Sequence, residues 1–178
     1  MPGYLIEQTV LDVELGEEET RVRAALTMKQ NPDGRRETSL VLDGSIDLAT
    51  QSIAIDGREL SHTEYAIEDG KLTLFDLPEQ FVLETDVTIK PQDNKSLSGL
   101  YQSGDMFCTQ CEAEGFRNIT WYLDRPDVLS EFTTTITADK AKYPVLLSNG
   151  NAQSREDLGE KHRVTWHDPF LKPAYLYA

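Results

Sequence analysis

Apolar residues recur at every second position through much of this chain, and that period decides most of what it can fold into. Leu11, Val13 and Leu15 lie on one side of a first run. Val22, Ala24, Leu26 and Met28 lie on one side of a second, with Arg21, Arg23 and Thr27 opposite. Phe81, Leu83, Val87 and Ile89 repeat the pattern, as do Phe132, Ile136 and Ala138. Successive side chains of a strand point to opposite faces, so each run predicts a strand with one buried and one wetter side. Antiparallel sheets give this signature.

Turn residues fall between the runs. Asn31-Pro-Asp-Gly separates the second and third strands, and Asp56-Gly57 follows Ile53 and Ile55. Asp69-Gly70 between Tyr65/Ile67 and Leu72/Leu74 predicts a tight hairpin, and Asn149-Gly150 closes a later strand. Helix is scarce. Its best candidate is Pro126 to Phe132, where proline suits a first turn and Leu129 and Phe132 stand three apart on one face. The polar stretch from Asn151 to Lys161 predicts a surface loop. The fold class expected is all-β, an antiparallel multi-sheet β-sandwich with little helix.

Charge narrows the partners. Seventeen basic residues stand against 31 acidic ones, a net of −14. Phosphate backbones and anionic membranes are bound by clustered Lys and Arg, so nucleic acid and membrane are excluded as expected partners. Met1-Pro-Gly-Tyr-Leu-Ile-Glu lacks the basic start and apolar run of a secretory signal. No stretch reaches the roughly 20 apolar residues that span a bilayer. The compartment expected is cytoplasmic, with reduced thiols. The 178 residues suit one domain. The apolar, strand-like run Pro173 to Ala178 carries no polar tail, which points to a domain boundary there.

The segment from Gly99 to Asp127 is the densest in functional residue types, and reads as an ordered loop leading into a strand near Phe116 to Leu123. Within it, Cys108-Thr-Gln-Cys111 has a Cys-x-x-Cys spacing. A structural zinc site needs four ligands and no second pair exists; a redox motif wants a βαβ context. His62, His162 and His167 are poorly placed to complete a site. The cysteines are therefore expected to be buried or half-buried structural thiols. Glu112 and Glu114, two apart, would share one side of an extended segment. A carboxylate beside the Gln110 amide suits an ammonium ion, and a peptide α-amino group, with a pKa near ~8, is largely protonated at neutral pH. The plainer alternative pairs Glu112 with Arg117 or leaves it in solvent, and composition alone favours that alternative. No Gly-x-Ser-x-Gly, His-Glu-x-x-His, phosphate loop or dinucleotide fingerprint occurs. No catalytic residue and no metal ligand is expected in this chain.

Several blocks carry a resemblance. They are Leu100-Tyr-Gln-Ser-Gly, Cys108-Thr-Gln-Cys-Glu-Ala-Glu-Gly-Phe-Arg117 and Ile119-Thr-Trp-Tyr-Leu-Asp-Arg-Pro-Asp127. Tyr143-Pro-Val-Leu-Leu-Ser-Asn-Gly-Asn151 and Trp166-His-Asp-Pro-Phe-Leu-Lys-Pro173 follow. In order and spacing they resemble the bacterial aminopeptidase N branch of the gluzincin-type zinc aminopeptidases, strongly from Leu97 onward. Many members carry Pro-x-x-Asp-x-Pro after the family's Arg; Trp121-Tyr-Leu-Asp-Arg-Pro126 departs from that and matches the bacterial branch. The resemblance implies that residues 1–178 are one N-terminal β domain, saddle-like, covering the active site of a following thermolysin-like catalytic domain that is absent here. It implies that the zinc belongs to that missing domain and that this chain binds no cofactor and catalyses nothing alone. The family's Gln-x-Glu element matches Gln110 and Glu112. By that match Glu112 binds the substrate's α-amino group and Gln110 lines the pocket for the first side chain. The implied partners are the protein's own catalytic domain and peptide N-termini. An autonomous β-sandwich binding module, with Trp121 or Trp166 as an exposed platform, stands as the alternative. A scaffold domain evolved from a decayed peptidase is a third.

Overall fold

The computed structural model describes residues 1–178. Its strands are β1 (Tyr4–Glu14), β2 (Thr20–Gln30), β3 (Leu40–Asp43), β4 (Ala49–Ile55), β5 (Arg58–Glu59), β6 (Tyr65–Glu68), β7 (Lys71–Leu74), β8 (Gln80–Ile89), β9 (Gly99–Ser103), β10 (Met106–Gln110), β11 (Leu129–Asp139), β12 (Asn151–Leu158) and β13 (Lys161–Pro173). Helical structure is confined to the short 3-10 turns Pro91–Asp93, Phe116–Asn118 and Ala174–Leu176. The chain is all-β, as its alternation predicts.

Eight strands form one sheet in the order β12-β13-β11-β1-β2-β8-β4-β5. Its centre follows from the period of two. Val22, Leu26 and Met28 of β2 lie opposite Val87, Leu83 and Phe81 of β8, and all six are buried. The pattern in β1 changes parity. Tyr4 and Ile6 are buried, then Thr9, Leu11 and Val13, because a bulge between Ile6 and Gln8 inserts one residue. Every pairing is antiparallel except β1 with β11, which run parallel with Val13 beside Ile136. Such a pair needs a long connection, and the whole middle of the chain supplies it.

A second layer covers the inner face. It consists of the sheet β3-β7-β6, the hairpin β9-β10 and the irregular stretch from Phe116 to Val128. One apolar cluster joins the layers, including Leu42, Leu72, Leu83, Phe116, Trp121 and Phe132. Tyr122 fastens the irregular stretch at its middle. Its backbone exchanges two hydrogen bonds with Asp43, at 2.8 and 3.0 Å, and its hydroxyl lies 3.0 Å from Thr9 Oγ1. Thr9 in turn meets Ser130 Oγ at 2.8 Å.

The structure corrects five local expectations. Pro126 to Phe132 is not a helix: Leu129 begins β11, where Thr133, Thr135 and Ile136 favour extended backbone and pairing on both sides overrides any helical spacing. Asn151 to Lys161 is not a loop but the edge strand β12 and its turn into β13. Every β12 side chain is exposed, so polarity on both faces reflects an edge that discourages further pairing. Asn149-Gly150 accordingly opens β12 instead of closing a strand. Phe116 to Leu123 is a 3-10 turn and coil with one bridge, Asp43 to Tyr122. Ile119 through Asp124 are all buried, so no wet face imposes alternation. Last, β13 stops at Pro173, and Ala174–Leu176 turns instead of continuing the strand.

Candidate functional site

The hairpin β9-β10 delivers Gln110 to its open end, where it pairs with Gly99. The chain then folds back. Gly115 N–H donates to the Cys111 carbonyl at 2.8 Å, and Asn118 N–H donates to the Gly115 carbonyl at 3.0 Å. Cys111 and Phe116 point inward, while Glu112, Ala113 and Glu114 stand on the outside of the turn. Gln110 is exposed, and its Nε2 lies 3.4 Å from the Glu112 carbonyl oxygen. The structure therefore brings Gln110 and Glu112 onto one exposed turn.

Tight approaches shape that turn. A Cβ on Gly115 would sit 2.5 Å from the Gln110 carbonyl oxygen and 2.9 Å from Cys111 Cα. Gly99 has φ +80°, and a Cβ there would sit 2.7 Å from Asn118 Cβ. Only glycine meets both demands at that position. Asn94 Nδ2 donates to the carbonyls of Ser98 and Leu100 at 2.8 and 3.0 Å, and Asn118 Nδ2 donates to Ser98 Oγ at 3.0 Å. These contacts clamp the start of β9 to the base of the turn.

Behind the turn lies an ion-pair network. Arg117 backbone N–H and Nε both donate to Asp124 Oδ2, at 3.1 and 3.0 Å, and its terminal nitrogen donates to the Asp124 carbonyl at 3.2 Å. Asp124 is only 2% exposed. Burial raises its pKa, with Arg117 opposing that shift. Burial works against the Arg117 charge, but Asp124, Asp43 and Glu114 together hold its pKa above the usual value. Glu114 lies 3.4 Å from the guanidinium. Glu112 makes no ion pair or side-chain hydrogen bond. The two carboxylates thus have different surroundings, contrary to the extended-segment expectation, and the Glu112–Arg117 pairing is not formed.

Both cysteines are free. Burial, then the nearby Asp124 charge, pushes the Cys111 thiol up to about 12. Cys108 is half-buried on β10. The three histidines are engaged separately: His62 with Tyr65, His162 with the Tyr143 carbonyl and His167 with Thr133. No three His, Cys, Asp or Glu side chains come together in a way that could hold a metal ion. The donor set for a zinc centre does not exist on these residues. Trp121 is 1% exposed, with its N–H on Thr50, and half-buried Trp166 donates to the Leu146 carbonyl. Neither indole forms an open platform. No helix is long and apolar enough to cross a membrane.

The alternating pattern gave no sign of Asp124 or of the two glycines. A single acid closing the buried run Trp121-Tyr-Leu, seven residues after an arginine, was the available signal for the first.

Comparison with known proteins is concordant along the whole chain. Residues 7–176 match the Peptidase M1 N-terminal domain. Aminopeptidase N of Caulobacter vibrioides is 49% identical over 176 residues, covering 98% of this chain and 20% of the relative. Aminopeptidase N of Escherichia coli is 47% identical over 178 residues, covering 99% and 20% respectively. The chain thus spans about a fifth of the length of these relatives. Among solved structures, Legionella pneumophila aminopeptidase A in complex with aspartic acid superposes with a TM-score of 0.92 at 31% identity, over 99% of this chain and 21% of that one. An M1 zinc metallopeptidase from Deinococcus radiodurans, 15% identical, shares the fold with a TM-score of 0.82, over 99% of this chain and 41% of its own.

Proposed function

Since this chain belongs to the peptidase M1 N-terminal domain family, we propose that it is the substrate-anchoring domain of a zinc aminopeptidase, covering the active site of a catalytic domain that follows it. Residues 1–178 form one such domain and catalyse nothing alone. The observation that carries the reading is the Glu112 carboxylate, unpaired within the chain, on the same exposed turn as Gln110, whose amide lies 3.4 Å from the Glu112 backbone carbonyl.

The chemistry follows from those groups. A peptide's α-ammonium donates to the Glu112 carboxylate through charge-assisted hydrogen bonds, which are shorter and stronger than neutral ones. Glu112 is free to accept because Arg117 is already engaged by Asp124 and Glu114. Gln110 lines the space for the first side chain. Fixing the amino end selects the first peptide bond, which makes the cleavage exopeptidic. A zinc ion, which no residues of this chain would hold, would supply Lewis-acid activation of water and of the scissile carbonyl from the catalytic domain. Positioning of this kind lowers a barrier by up to roughly 7–11 kcal/mol in ideal cases. The setting we assign is cytoplasmic, where both thiols stay reduced.

The test is Glu112→Ala in the full-length protein, assayed on an aminoacyl chromogenic substrate. We expect kcat/KM to fall at least ~10²-fold, about 2.7 kcal/mol of transition-state binding. Kinetics near those of the unsubstituted enzyme would sink the assigned role.

A further inference from the structure

Asn94 commits its whole side-chain amide to the loop that follows it. Its Nδ2 donates to the carbonyls of Ser98 and Leu100 at 2.8 and 3.0 Å, and its Oδ1 accepts from Ser96 Oγ at 2.8 Å and from Leu97 N–H at 3.2 Å. The backbone between these partners needs an outside hold. Leu97 stands at φ +55° and Gly99 at φ +80°, and a leucine seldom takes that conformation unless its surroundings impose it. Asn94 is itself tied back toward the end of β8. Its N–H donates to the carbonyl of the buried Pro91 at 3.3 Å, and Asp93 N–H donates to the Lys90 carbonyl at 3.0 Å.

Two routes lead from this loop to the candidate site. Gly99 lies between the two carbonyls that Asn94 holds, and it is the residue that pairs with Gln110 across the hairpin. Ser98 Oγ accepts from Asn118 Nδ2 at 3.0 Å, and Asn118 N–H in turn donates to the Gly115 carbonyl, on the turn that carries Glu112. Neither route has slack. A Cβ on Gly115 would lie 2.9 Å from Ser98 Oγ, and one on Gly99 would lie 3.0 Å from the Gly115 carbonyl oxygen. A shift of Ser98 therefore shifts both ends of the site.

We propose that Asn94 is a positioning residue for the substrate's α-ammonium: by holding Ser98 and Leu100 it sets where the Glu112 carboxylate and the Gln110 amide stand. It acts through Glu112 and touches no substrate group. This rests on the reading of Glu112 as the anchor. The residue type follows from the task, which asks a short side chain for two donors and an acceptor. Aspartate would keep the acceptor for Leu97 and Ser96 but would turn lone pairs toward the Ser98 and Leu100 carbonyls.

The experiment is a double-mutant cycle in the full-length protein, with Asn94→Asp and Glu112→Ala made singly and together and assayed on an aminoacyl chromogenic substrate. We expect Asn94→Asp alone to lower kcat/KM ~10-fold, within what a small misplacement of a positioning group costs. On the Glu112→Ala background the same change should cost less than ~2-fold, because the group it positions is gone. A loss of folded protein would act equally in both backgrounds, so this non-additivity separates positioning from stability. Ser98→Ala removes only the Asn118 acceptor and should show a smaller loss, ~3-fold, that also disappears without Glu112; it replaces Asn94→Asp if that variant does not fold. Unchanged kinetics in Asn94→Asp, or equal losses in both backgrounds, would overturn the proposal. The anchoring reading fails differently. A Glu112→Ala enzyme of near full activity removes the anchor and the positioning role with it, whereas equal losses beside an impaired Glu112→Ala keep the anchor and remove Asn94 alone.

Discussion

The large sheet and the segment from Asn94 to Val128 are built on different principles. In β2 and β8 the inward side chains are apolar and interchangeable in kind with their neighbours, apart from Thr20 and Thr85, so the structure is held by area and register. The segment that bears Gln110 and Glu112 has no period. It is held by contacts that each admit one residue type: Gly115 against the Gln110 carbonyl, Gly99 at positive φ, Arg117 on Asp124, Asn94 on two carbonyls. A surface that must present a carboxylate in one place needs the second kind of construction. The first kind tolerates repacking; the second does not.

The sharpest way to break that difference is Asp124→Ala. It leaves the Arg117 guanidinium, whose side chain is 23% exposed, without its main partner. Loss of one member of a buried pair costs about 3–5 kcal/mol. Arg117 is partly in water, so we expect the lower end of that range in urea denaturation. A loss below ~1 kcal/mol would mean that the segment is held by its glycines and apolar contacts instead.

A smaller effect should come from the Cys111 thiol. Its folded pKa is raised from 9.0 to about 12, so above pH 9 the unfolded chain releases the proton first. Stability contributed by the protonated thiol is complete below pH 9 and is lost as pH rises toward 12. By pH 10 that amounts to about 1.4 kcal/mol. The Tyr177 hydroxyl, also pushed up to about 12 by burial, adds to the loss above pH 10. The pH 8 to pH 10 difference in unfolding free energy should shrink in Cys111→Ala; an unchanged difference would remove the thiol from the account.

The smallest effect belongs to the sheet's outer edge. Arg155→Ala on β12 replaces an exposed side chain that makes no ion pair, and the unfolding free energy should move by no more than ~0.5 kcal/mol. A larger shift would show that even this edge uses specific contacts.

The same contrast explains what could be read from the sequence. Strands β2 and β8 were legible because each has one wet face and one dry one. Half of β1 was hidden by its bulge, which moved the buried positions from Tyr4 and Ile6 to Thr9, Leu11 and Val13. Strand β11 was blurred because its inner face carries Ser130 and Thr134 beside Phe132, polar groups made acceptable by buried partners such as Thr9. Strand β12 was lost because an edge with no buried face has no apolar period. At the site, charge chemistry alone left Glu112 between anchor and solvent. Family resemblance singled out Gln110 and Glu112, but neither revealed that the peptide turns at Cys111, which separates Glu112 from Glu114. That turn depends on long-range approaches between Gly99, Gly115 and Asn118, which no local pattern encodes.

The parallel pairing of β1 with β11 has a consequence during translation. β1 can form its hairpin with β2 as soon as both have left the ribosome, but its other edge stays open until β11 emerges. At ~5–20 residues per second, that wait is on the order of ten seconds. Throughout it a nascent strand displays unpaired amides and carbonyls to any neighbouring polypeptide on the same message. Closing this sheet is therefore a late event of synthesis, and release of a chain halted before Leu129 would leave that edge without its natural partner.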